Sequence, residues 1–245
     1  MRRAPVLIPI LAAALALGAC GKDSEIGRGT TGTDTANAPA RTATTPKPVA
    51  TPRHSEDGCA PIAESVPREE NRKRPRQKLN RRKRYVATML TNCGTIKIKL
   101  DVRNFPRTTR TFAGLARNGF YDGLSFHRIA KPGGNDFVIQ GGDPLGSGEG
   151  GPGFSVVESP RKSQRYPVGT MAMAKAGDEQ PGTSGSQFFI VTGQGAVLDP
   201  VYAVVGRVVG GLKVVRRIAA VPADPVTEMP IDPVVIKRVT IRSGR

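Results

Sequence analysis

The chain is poor in the groups most enzymes rely on: it has two histidines, His54 and His127, three cysteines and no tryptophan in 245 residues. With so few imidazole and thiolate ligands, a metal centre has nothing to assemble from, and neither a metal nor a cofactor is expected. One histidine in the C-terminal two-thirds argues against a Ser-His-Asp triad. Gly182-Thr-Ser-Gly-Ser186 also fails the pattern of a nucleophile elbow. Gly146-Ser-Gly148-Glu-Gly-Gly151 matches G-x-G-x-x-G, but Pro152 and Gly153 stand where a phosphate-binding helix would begin, so it reads as a loop. What remains as a site is a positively charged side chain beside aromatics.

Large apolar residues are nearly missing from Gly21 to Arg53, a stretch rich in Thr, Ala, Pro and Gly. Such a segment cannot bury enough surface to offset its ordering entropy and is expected to be a disordered tether. Before it stand Arg2-Arg3 and an apolar stretch from Ala4 to Ala19, short for a membrane span and interrupted by Pro5 and Pro9. This reads as a signal peptide over residues 1–19. Its end, Leu17-Gly18-Ala19-Cys20, resembles the lipobox of bacterial lipoproteins, which implies cleavage before Cys20 and lipidation of its thiol. The alternative is an ordinary secretory signal with a chance cysteine. The first version implies a lipid anchor in the membrane and the second a secreted protein, but both place the domain outside the cytoplasm.

In such a compartment the other two cysteines, Cys59 and Cys93, are either bridged or free thiols. A bridge would tie the segment before the domain onto its first hairpin.

Acidic residues are scarce where the chain is most basic. Arg68 to Arg84 carries ten Lys or Arg against Glu69 and Glu70. From Tyr85 onward there are twenty basic and twelve acidic groups. The run is expected to self-repel and stay extended, which sets a tether at 20–84 and a domain at 85–245. It could be a soluble spacer or touch anionic headgroups or wall polymers. Nucleic acid is disfavoured, because no aromatics interleave the charges and the address is extracytoplasmic.

Within the domain, Tyr85–Leu90 and Thr95–Leu100 flank Thr91-Asn92-Cys93-Gly94. Ile96, Ile98 and Leu100 alternate with Lys97 and Lys99, the pattern of a half-buried hairpin. Asn104 to Asn118 predicts a helix with Asn104 as cap, Pro106 in its first turn and Phe112, Leu115 and Ala116 on one face. Leu212 to Ala219 predicts a second. Short apolar runs at 137–140, 170–174, 187–192, 203–209 and 234–241 predict further strands, hence a mainly β barrel or sandwich with two helices.

Phe126-His127-Arg128-Ile129, the stretch Phe137-Val-Ile-Gln140-Gly-Gly-Asp143, Met171-Ala-Met173-Ala174-Lys-Ala-Gly177 and Gly185-Ser-Gln187-Phe188-Phe189 follow one another here as in cyclophilins. So do Val197-Leu198-Asp199 and Val204-Val205-Gly206-Arg207-Val208. From Tyr85 on, the chain resembles that family of peptidyl-prolyl cis-trans isomerases (rotamases). The resemblance implies a closed eight-stranded antiparallel β-barrel capped by two helices, and a cofactor-free isomerase acting as a monomer on proline-containing polypeptides. It implies that Arg128 is catalytic and that Phe137, Val138, Phe189 and Leu198 line the proline pocket. Gln140 and Gln187 would bind substrate backbone or hold Arg128, Ala174 and Lys175 would flank the groove, and His127 would be structural. The other reading is a non-catalytic module at the cell envelope that binds proline segments.

The chain departs from the family pattern in places. The step from Arg128 to Phe137 and the loop from Gly177 to Thr183 are longer than usual. Tyr202 stands where many members have a histidine, and Val197 where cyclosporin-sensitive members have tryptophan.

Overall fold

The computed structural model describes residues 58–194 and 196–244. The signal segment, Cys20 and the tether up to residue 57 lie outside the described residues.

The elements in chain order are β1 (Arg84–Thr91), β2 (Gly94–Leu100), α1 (Pro106–Arg117), β3 (Phe126–Ala130) and β4 (Val138–Gly141). Then come β5 (Val156–Val157), β6 (Thr170–Met173), β7 (Thr183–Ser184), β8 (Phe188–Val191), β9 (Val204–Gly210), α2 (Leu212–Ala219) and β10 (Ile236–Gly244). Eight strands form one antiparallel sheet in the order β10-β1-β2-β9-β6-β8-β4-β3, while β5 and β7 pair separately.

The sheet is strongly curled, and its two edges meet. Phe126 N donates to Val234 O at 2.8 Å and Ile236 N to Leu124 O at 2.7 Å, either side of a bridge between Ser125 and Val235. The barrel is thus drawn together by a short seam between β3 and β10, not by a full ladder.

The alternation read in the first hairpin is what the structure contains. Thr91 pairs with Gly94 across the two-residue turn Asn92-Cys93, and Ile96, Ile98 and Leu100 point into the core. Met89, Ile129, Ile139, Met171 and Ile190 join them, together with Phe112, Tyr121, Phe126 and Phe188 in tilted and edge-to-face contact. The interior is filled by side chains, so a substrate can be bound only outside.

Helix α1 starts differently from the expectation. Asn104 does not cap it, because its amide is turned back to the Asp101 carboxylate at 2.9 and 3.0 Å. The open N–H groups of Arg107 and Thr108 instead donate to the two Glu158 oxygens, at 3.1 and 2.8 Å. A carboxylate here satisfies two orphan donors and suits the positive end of the helix dipole.

The tether boundary at residue 84 also needs correction. Residues 58–84 contain no regular element before Arg84, yet they form a strap bonded to the domain. Cys59 is disulfide-linked to Cys93. Arg68 N donates to Pro144 O and Arg72 N to Pro152 O, at 2.9 and 2.8 Å. The Arg68 guanidinium donates to Phe120 O and Asp122 O, and Leu79 enters the main core. Docking on the domain determines where this basic run lies.

Candidate active site

Three neighbouring strands build the site. Arg128 on β3 pairs with Gln140 on β4, and Gln140 pairs with Phe189 on β8. A bulge at His127 places two β3 residues opposite one on β4. Without it, Phe126 and Ile129 could not both face the core, since side chains alternate along a strand. Because the parity changes there, Arg128 shares the outer face with Ala130.

On that outer face lies a second apolar cluster, separate from the barrel core. It contains Ala130, Val138, Tyr166, Ala172, Phe189 and Val204, with Phe137, Ala174, Leu198 and Tyr202 packed partly buried against it. The Tyr202 ring meets Phe189 edge-on, with centroids 5.1 Å apart. Tyr166 holds that neighbour in place: its hydroxyl donates to Tyr202 O at 2.8 Å and accepts from Tyr202 N at 3.0 Å.

A continuous hydrogen-bond chain crosses the site. Gln187 Nε2 donates to the carbonyls of Gly148 and Gly150, at 2.7 and 2.9 Å. Gln140 Nε2 donates to Gln187 Oε1 at 2.9 Å, and Arg128 Nη1 donates to Gln140 Oε1 at 3.1 Å. At the far end Arg128 Nε donates to Glu228 Oε2 at 2.5 Å. The glycine-rich loop thus supplies the two carbonyls that hold Gln187. Buried Asp143 folds it by accepting from Leu145 N and Gly148 N.

Glu228 belongs to the turn that follows α2, and its φ of 58° lies in the left-handed region. For a residue with a Cβ this conformation costs about 1–2 kcal/mol. Backbone bonds enforce it: Glu228 N donates to Asp224 O, and Glu228 O accepts from Ile129 N, both at 2.8 Å. The second of these bonds fastens the turn to β3 immediately beside Arg128.

Beside the apolar cluster lies a cavity of about 620 Å³, lined among others by Gln140, Gly150, Phe154, Ala174, Lys175 and Gln187. Lys175 Nζ donates to Ala176 O at its rim. All the residues expected at the site from sequence, from Arg128 and Phe137 to Leu198 and Tyr202, thus border one outer face. Sequence reading missed Glu228 and Tyr166; neither sits in a motif, and Glu228 is 100 residues from its partner.

The long step from Arg128 to Phe137 is accommodated without disturbing this face. Its extra residues form an exposed 3-10 turn, Pro132–Gly134, clipped by Lys131 and Asp136 at 3.5 Å, and the pair Ala130–Val138 keeps its register below it.

Burial raises the Tyr202 hydroxyl above its usual range and the nearby Asp199 charge adds to this, while Arg128 opposes it. Tyr202 is therefore neutral and able to donate. His127 is buried, and desolvation lowers its pKa; neither ring nitrogen has a hydrogen-bond partner among the described residues. Among those residues no cluster of His, Cys, Asp or Glu could hold a metal.

The sequence matches the family model for cyclophilin-type peptidyl-prolyl cis-trans isomerases over residues 86–241. It is 39% identical over 176 residues to peptidyl-prolyl cis-trans isomerase B of Streptomyces anulatus, covering 64% of this chain and 96% of that one. With the probable peptidyl-prolyl cis-trans isomerase A of Mycobacterium bovis the figures are 38% over 174 residues, 63% and 91%. Among solved structures, a cyclophilin-type isomerase of Cryptosporidium parvum, crystallised in the presence of the dipeptide Ala-Pro, superposes with a TM-score of 0.58 at 31% identity, covering 65% of this chain and 99% of its own. A family match spanning the whole barrel, on top of the Arg128–Gln140–Gln187 face, leaves one assignment: this chain belongs to the cyclophilin-type peptidyl-prolyl cis-trans isomerases.

Proposed function

We propose that this isomerase acts on X-Pro bonds of exported proteins, assisting their folding, and that Arg128 is its catalytic group. An X-Pro bond turns slowly because rotation breaks amide resonance, against a barrier of about 18–20 kcal/mol. Rotation leaves a lone pair on the proline nitrogen. A fixed cationic donor beside that nitrogen lowers the barrier, and every ~1.4 kcal/mol is a tenfold gain.

The observation that carries the reading is the placement of one guanidinium, held at Nη1 by Gln140 and at Nε by Glu228, at the border of an apolar cluster. Arginine suits the task because its charge is permanent and its donors are planar and rigid. Phe137, Val138, Phe189, Leu198 and Tyr202 would receive the proline ring and exclude water. Gln140 and Gln187 would meet the substrate backbone, flanked by Ala174 and Lys175.

Isomerisation of a short proline peptide by the chain and by Arg128→Ala tests the mechanism. A large loss of rate in the variant is expected, and equal rates would overturn the role of Arg128.

The segment Leu17-Gly18-Ala19-Cys20 supports an extracytoplasmic address with a lipid on Cys20. Mass spectrometry of the mature N-terminus would show a lipid-modified Cys20. An unprocessed Met1 would refute export by this route, and an unmodified mature terminus would refute the anchor.

A further inference from the structure

The strap does more than close the fold, because it gathers positive charge against α1. A Cβ on Gly114 would collide with the Pro75 ring, so glycine at this helix position is what lets the strap lie directly on α1. Arg110 lies one helical turn before Gly114 on the same face. Pro75 therefore brings its neighbours Lys73, Arg74 and Arg76 alongside Arg110, and the four cations with Pro75 line an open cleft of about 830 Å³.

No carboxylate lines this cleft, and none pairs with its cations among the described residues. Glu70, the nearest acid of the strap to take part in ion pairs, is already held between Arg68 and Arg72, at 2.8 and 2.5 Å. The Arg110 Nε is fully enclosed and has no hydrogen-bond partner among the described residues. Four like charges converging without a counter-ion repel one another, and an enclosed guanidinium donor with no acceptor is costly. The repulsion is relieved if an anion with several acceptor oxygens occupies the cleft, where the four cations converge.

We propose that Lys73, Arg74, Arg76 and Arg110 form a binding site for a phosphate-bearing anion. Arginine forks match phosphate oxygens two at a time, and lysine adds a point charge. The site is distinct from the isomerase face, since none of its residues belongs to the apolar cluster or to the Arg128 hydrogen-bond chain. The phosphate could come from a soluble ion or from a lipid headgroup, and the two sources are separable by experiment.

Inorganic pyrophosphate is titrated into the full chain by calorimetry at low salt, with Arg110→Gln, the double variant Arg74→Gln/Arg76→Gln, and Lys237→Gln on β10 as a control for loss of one charge elsewhere. Saturable binding is expected. It should be roughly tenfold weaker in each of the first two proteins, as for loss of a charge-assisted hydrogen bond, and unchanged in the third. Peptide isomerisation at the wild-type rate shows that each variant is folded. Sedimentation with vesicles of phosphatidylcholine, alone or with phosphatidylglycerol, identifies the source. Retention by the anionic vesicles that weakens in the cleft variants assigns a lipid headgroup, whereas pyrophosphate binding without such retention assigns a soluble ion. The proposal fails if neither probe binds saturably, or if Lys237→Gln weakens binding as much as the cleft variants do.

Discussion

Arg128 and Glu228 meet at 2.5 Å between Nε and Oε2, from a barrel strand and from a turn 100 residues later. The contact leaves the guanidinium a single plane, because Gln140 fixes Nη1 from the other side. If Arg128 stabilises the pyramidal proline nitrogen, Glu228 is a positioning residue. Glu228→Ala is expected to lower kcat/KM about tenfold, through kcat more than KM, because orientation matters most in the transition state. Glu228→Gln retains an acceptor and should lose less. Equal, unchanged rates in both variants would remove Glu228 from the mechanism.

The strap should contribute to stability without contributing to turnover. Breaking the Cys59–Cys93 link with Cys59→Ser frees a loop of 34 residues, and the expected loss is about 2–4 kcal/mol. Urea unfolding measures it. Isomerase activity at 25 °C should persist, since the Arg128 chain lies on other elements.

His127 predicts a pH dependence of stability. Burial lowers its pKa below the usual 6.5, so the unfolded chain takes up this proton at a higher pH than the folded one. The stabilising effect is complete above about pH 6.5 and is lost as pH falls from there towards the folded value. Unfolding free energies should therefore drop as pH falls below about 6.5. In His127→Leu the drop below that pH should be smaller; an identical slope would assign it to other groups.

Val197 is 91% exposed and offers no flat, hydrogen-bonding ring where drug-sensitive cyclophilins carry tryptophan. Cyclosporin should inhibit weakly. Titrating the peptide isomerisation with the drug tests this, and full inhibition at equimolar drug would contradict it.

Much of this site was legible because its residues lie in short contiguous strings. Phe126 to Ile129, Phe137 to Asp143 and Gln187 to Phe189 each combine an outward polar group with inward apolar neighbours, and those strings became β3, β4 and β8. The hairpin was legible for the same reason, since period-two alternation survives any tertiary context that buries one face. Tertiary partners without a local pattern were not legible. Glu158 supplanted Asn104 as the cap of α1 from 50 residues away, and Glu228 reached Arg128 from a loop. The strap was misread because charge was averaged along it. Pro75, Leu79 and the backbone N–H groups of Arg68 and Arg72, which anchor it, leave no trace in a net charge.

The position of the Cys59–Cys93 link bears on mechanical load. Tension arriving through residues that precede Cys59 would pass through two sulfur atoms directly into the turn between β1 and β2. The strap, residues 60–83, is thereby taken out of the load path. The strap cannot be peeled from α1 by a pull from that side, and the first structure to bear the force is a hairpin hydrogen-bonded on both flanks, to β10 and to β9. Once the link is reduced, the same pull would act on the strap first, and its contacts at Arg68, Arg72 and Pro75 would fail one after another while the barrel stayed closed.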